Sequence, residues 1–92
     1  MGKQLSHMQR LALQAELPAE PIPGQPIIEL AGDQRVLIER HKGVTQYGCK
    51  EIQVKLSFGC VSVSGCHLEL ARMTKQQLVI TGIIERISLM RD

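Results

Sequence analysis

From Glu51 to Leu89 apolar residues recur at every second position, and glycines interrupt the rhythm. Ile52, Val54 and Leu56 alternate with Glu51, Gln53, Lys55 and Ser57, and Val61 and Val63 alternate with Ser62 and Ser64. After Gly65 the phase shifts by one residue, so that Leu68 and Leu70 carry the next apolar row. Leu78, Ile80 and Ile84 resume it, and Ile87 and Leu89 shift it again. A period of two turns one row toward a core and the other toward water. That pattern suits an antiparallel sheet with one solvated face better than a parallel sheet covered on both. Helical spacing would scatter the same residues around the axis.

The chain has 92 residues, of which 43% are hydrophobic but only 2% aromatic, with Tyr47 and Phe58 the sole aromatic residues. One domain with a modest, aliphatic core follows, near the size at which small domains become marginal. A net charge of +2 comes from 11 basic and 9 acidic residues interspersed along the chain. Such a surface lacks the clustered basic face of a nucleic-acid binder, so no nucleic-acid partner is expected. No apolar run reaches the length of a membrane span or of a signal peptide, which predicts a cytoplasmic protein. The odd set Cys49, Cys60 and Cys66 lacks the paired spacing of a secreted disulfide framework and is expected as free thiols.

Two parts are expected, residues 1–26 and 27–92. In the first, Ser6 to Glu16 has capping-box spacing at Ser6 and Gln9 and a stripe of Leu5, Met8, Leu11, Ala12 and Ala15, which predicts a short helix ended by Pro18. The stripe is narrow and half alanine, so the helix needs a partner surface, either its own sheet or another protein or membrane. Pro18, Pro21, Pro23 and Pro26 make the following stretch an extended linker.

In the second part, strands are expected at Ile27–Leu30, Val36–Arg40 and Val44–Tyr47, before those of the opening stretch. Gly32-Asp33 and His41-Lys42-Gly43 supply breaks, and Phe58-Gly59 a hairpin connection. Thr74 to Gln77 reads as a polar loop. The expected fold is all-β, a small antiparallel β-sandwich or barrel-like domain of six to eight short strands with the N-terminal helix. Gly48, Gly65 and Gly82 are equally spaced, which leaves a solenoid fragment as an alternative, although the residues around Gly48 do not repeat those around the other two.

Little in the chain points to chemistry. Glu39 and His41 lie two apart on a predicted strand and so share a face, where they would hydrogen-bond at a turn or, with a further ligand, hold a metal. Cys60 and Cys66 are too far apart for a C-x-x-C site and read as small core fillers. No phosphate-binding loop, catalytic triad or Cys-His pairing stands out, so neither an enzyme nor a cofactor or metal site is expected.

Several stretches carry a resemblance. Glu16-Leu17-Pro18 is followed by Ile28-Glu29-Leu30-Ala31-Gly32 and by the distinctive Ile38-Glu39-Arg40-His41-Lys42-Gly43-Val44 with Tyr47. Then come Gly59-Cys60-Val61-Ser62-Val63-Ser64-Gly65, Leu68-Glu69-Leu70 with Met73, and Leu78 to Ile84. In this order they resemble the YabP/YqfC family of sporulation proteins, most closely its YqfC branch. The cysteines and the Pro21–Pro26 stretch depart from the family pattern. The resemblance implies an endospore-forming bacterium, a small β-sandwich-like protein with no known enzymatic activity, and a companion membrane protein of the same process. The expected function is thus a non-enzymatic interaction or assembly module. It would be cytoplasmic or held at a membrane through its partner, and a homo-oligomer is compatible with this. Glu39, Arg40, His41, Lys42 and Gly43 are the expected partner-binding residues. The alternative is a metal- or thiol-dependent regulator using Glu39, His41 and the cysteines.

Overall fold

A computed structural model describes residues 24–92. The helix expected at Ser6–Glu16 and most of the Pro-rich linker lie outside these residues. The chain forms six strands: β1 (Ile27–Ala31), β2 (Arg35–Glu39), β3 (Val44–Gln46), β4 (Glu51–Leu56), β5 (Gly59–Met73) and β6 (Gln77–Arg91). All pair antiparallel in one sheet of order β1-β2-β6-β5-β4-β3. The all-β antiparallel class is as expected, and the solenoid alternative is not what forms. The predicted short strands after Gly59 are instead two continuous ones of 15 residues each. The glycines that shift the hydrophobic phase bend these strands without ending them.

The bend follows from connectivity. In a flat sheet, the Met73 end of β5, level with the end of β2, would lie about 40 Å from Val61, level with the start of β3, at ~3.3 Å per residue. Arg40 to Gly43, which join β2 to β3, reach at most about 18 Å. The β5–β6 ribbon must therefore fold back. It does so where its register slips, between Ser64 and Gly65 and between Cys66 and Glu69. Two four-stranded layers result. The first holds β1, β2, the first half of β6 and the second half of β5. The second holds β3, β4, the first half of β5 and the second half of β6. Val36 and Ile38 from one layer share a single core with Ile52, Val54, Val61 and Val63 from the other, and all six are fully buried.

Two close crossings make the bend possible. A Cβ on Gly65 would sit 1.9 Å from the Ile83 carbonyl oxygen, and one on Gly82, where φ is +136°, would sit 2.6 Å from that of His67. Amide groups at the bend need acceptors other than the ribbon's own ladder. The flanking turns supply them: Gly65 N donates to the Lys50 carbonyl at 3.0 Å and Leu68 N to that of Cys49 at 2.8 Å. On the other strand Gly82 N donates to the Gln34 carbonyl at 3.2 Å and Ile84 N to that of Asp33 at 2.7 Å.

Candidate functional site

Strand β2 ends at Glu39 because Arg40 takes the left-handed conformation, with φ +61°. For a non-glycine residue that conformation is uncommon and needs support from its surroundings. The support is a set of hydrogen bonds joining three elements. Arg40 N donates to the Gln76 carbonyl at 2.8 Å, at the tip of the β5–β6 ribbon. Lys42 N donates to the Lys55 carbonyl on β4 at 2.7 Å, and Lys55 N donates to that of Gly43 at 2.8 Å.

His41 is the centre of this junction. Its Nδ1 accepts from Gly43 N at 3.0 Å. A nitrogen that accepts carries no proton, so Nε2 bears it and donates to the Thr74 carbonyl at 2.8 Å. Gly43, with φ +113° and open space where a Cβ would be, is needed for its backbone conformation and not for room. Glu39 Oε2 accepts from Gln77 Nε2 at 2.9 Å. The face-sharing expected of Glu39 and His41 requires a strand to continue through Arg40. Because it does not, His41 bonds Gly43 and Thr74 and makes no Glu-His pair.

The same arrangement leaves cations outside. Arg40 and Lys42 are exposed, as are Arg72 and Lys75 near the ribbon tip. An open cleft of about 470 Å³ is lined by Ile27, Glu39, Arg40, Arg72, Thr74, Gln76 and Gln77. A second, shallower one runs between His41, Lys42, Gly43, Met73, Thr74 and Lys75. Arg40 Nη1 donates to the Gln25 carbonyl at 3.3 Å, so the chain enters the sheet beside this cluster. All five expected site residues are thus brought to one end of the molecule.

Thr74 and Gln77 belong to this junction but read only as loop in the sequence. Thr74 Oγ1 accepts from Gln76 N at 3.2 Å and from Gln77 N at 2.9 Å, a side-chain-capped turn. The signal was a threonine three residues before the first residue of the next strand.

A second polar group sits on the outer face of the other layer. Glu51 Oε2 accepts from Ser62 Oγ at 2.6 Å and from Gln53 Nε2 at 3.0 Å. The Ser62 hydroxyl, followed by the Gln53 amide, holds the Glu51 carboxyl below the ordinary carboxylate range. Chemically this is a satisfied surface network.

The thiols of Cys49, Cys60 and Cys66 are free. Cys60 and Cys66 are half-buried and do not belong to the core, contrary to the expectation of core fillers. Period two explains Cys60: inward Val61 follows it, so its side chain points outward. Cys66 Sγ lies 3.8 Å from Glu85 Oε2. Among the described residues no three His, Cys, Asp or Glu side chains gather as metal ligands. No described helix is long and apolar enough to cross a membrane.

The model of the YabP family matches residues 24–92, the whole of the described sheet. No curated protein and no solved structure matches the chain. The family match spans the Glu39–Gly43 junction, both ribbon bends and all six strands, and by that match the chain belongs to the YabP family and is a sporulation-related protein.

Proposed function

We propose that the chain is a non-enzymatic interaction or assembly module in endospore formation, and that Arg40, Lys42, Arg72 and Lys75 around the Glu39–Gly43 junction receive a protein partner. The observation that carries this reading is the division of labour within the motif. The side chains of Glu39 and His41 and the Gly43 amide are engaged in internal hydrogen bonds, whereas the side chains of Arg40, bonded only at the surface to the Gln25 carbonyl, and of Lys42 are exposed beside open clefts. The one carboxylate of the motif is already bonded to Gln77, so the surface is cationic and suits an acidic segment of a partner. The partner is a membrane protein of the same process, which would hold this cytoplasmic module at the membrane.

The experiment is the double variant Arg40→Glu/Lys42→Glu in sporulating cells. It is expected to melt like the parent, since both side chains are exposed, while losing the co-purifying partner and lowering the yield of spores. A folded double variant that keeps both partner and spores removes this surface from the function.

A further inference from the structure

The second half of β6 is an open sheet edge of unusual regularity. From Arg86 to Arg91 it pairs residue for residue with Ser64 to Gly59, without a bulge. On its other side no described strand follows, because β2 pairs only with Gln77 to Thr81. The remaining edges are blunted in ways natural sheets use. Strand β3 is three residues long and slips in register. The second half of β5 is broken by a register shift between Leu70 and Arg72, and His67 is left-handed at φ +54°. Strand β1 is five residues long and carries Glu29.

The direction of the free backbone groups is set by one bond. Asp92 N donates to the Phe58 carbonyl at 3.1 Å. Mutually bonded pairs alternate along an antiparallel ladder, so Met90, Ser88 and Arg86 bond inward to β5. Arg91, Leu89 and Ile87 therefore aim their N–H and C=O groups outward, away from the sheet. Leu89 stands opposite fully buried Val61 and so points to the core side, yet is 60% exposed. Its side chain and its backbone both lack cover among the described residues.

We propose that this edge pairs with the same edge of a second copy of the chain, antiparallel and two-fold symmetric, joining the second layers of two molecules into one sheet. Charge order identifies a second copy as the occupant. The edge runs Glu85-Arg86 at one end and Arg91-Asp92 at the other. Antiparallel pairing centred on Ser88 sets Ile87 against Leu89 and Glu85 against Arg91 of the other copy. Centred on Leu89 it sets Arg86 against Asp92. Both registers place opposite charges across the seam twice, by symmetry; the first also keeps the apolar row continuous, and the second sets Leu89 against its own copy.

The test is the mass of the full chain in solution across a range of concentrations, for the parent and for Leu89→Pro, which removes an outward N–H but no bond to β5. The parent is expected to be a dimer and the variant a monomer. Should proline unfold the chain, Arg86→Glu/Arg91→Glu decides, because it sets like charges opposite in either register. That variant is expected to weaken the dimer roughly tenfold or more. Amide exchange supplies the site: protection of Ile87 and Leu89 should rise with the dimer fraction. A monomeric parent overturns the proposal, including one in which these amides are protected at every concentration by residues 1–23. A dimer that survives both variants overturns it too.

Discussion

Val36 and Ile38 on β2 stand opposite Ile80 and Leu78 on the first half of β6, as Ile52 and Val54 on β4 stand opposite Val63 and Val61 on the first half of β5. Asp33 and Gln34 in one turn receive amides from the bend of β6, as Cys49 and Lys50 in the other receive them from the bend of β5. The two hairpins thus dock on the ribbon in one manner, with Gly82 and Gly65 at equivalent places. The outer faces differ. Leu37 meets nearly buried Val79 on one layer, while Gln53 meets nearly buried Ser62 on the other. Arg35 and Glu51 head the corresponding strands with opposite charge. A bent ribbon dictates backbone geometry at both crossings, and leaves the solvent side free to close by apolar contact or by a polar network.

The most severe way to break this equivalence is to add a methyl group at a bend. Gly65→Ala drives a Cβ into the Ile83 carbonyl, and backbone cannot turn aside as a side chain can. A loss of about 3 kcal/mol or more is expected in denaturant unfolding, at the upper end of overpacking costs. Gly82→Ala should be costly as well, through both its contact and its positive φ. Gly48 shares their spacing, but its added Cβ would meet the Glu51 carbonyl oxygen at an ordinary 3.5 Å. Gly48→Ala should therefore be nearly neutral. Equal losses at all three positions would mean that the spacing reflects a true repeat and not two bends and a turn.

A smaller effect is expected where the two hairpins are joined. His41→Ala removes the bonds to Gly43 and Thr74 that tie the β2–β3 link to the ribbon tip. About 1–2 kcal/mol should be lost, from two hydrogen bonds in a partly exposed setting. An unchanged unfolding midpoint would show that the backbone bonds of Arg40 and Lys42 hold the link unaided.

The finest distinction between the layers is their response to acid. Bonds from Ser62 and Gln53 lower the Glu51 carboxyl below its usual value of 4.5. A depressed carboxylate contributes stability that is fully present above the unfolded value and is lost as pH falls through the folded one. Glu51→Gln should flatten that part of the stability-against-pH curve, while Arg35→Gln, at the equivalent place, should leave it unchanged. Identical slopes for parent and Glu51→Gln below pH 4.5 would remove this role from Glu51.

How much of this was legible beforehand depends on the range of the interaction. Strand type was readable from Ile52 to Leu89 because alternation is a local consequence of the extended backbone. The breaks at Gly32-Asp33, His41–Gly43 and Phe58-Gly59 were readable for the same reason. The Glu39–Gly43 junction was singled out by its motif, but its internal bonding was misread. Alternation assigns Glu39 and His41 to one face only while the strand continues, and the left-handed turn at Arg40 depends on an amide-to-carbonyl bond to Gln76 far along the chain. Cys60 was misread because a small apolar residue suits either face of a strand; the alternation set by Val61 and Val63 already turned it outward, and its pairing with Lys55 and Met90 agrees.

The sequence by itself therefore determined an antiparallel all-β chain with an aliphatic core, because side-chain period and polarity act over a few residues. Whether Gly65 and Gly82 end their strands or bend them was decided only by the tertiary structure. Either outcome satisfies the local pattern. What selects bending is the short β2–β3 link, which requires the ribbon to fold back, and the carbonyls of Gln34, Asp33, Lys50 and Cys49, which receive the amides that the fold turns away from the ladder.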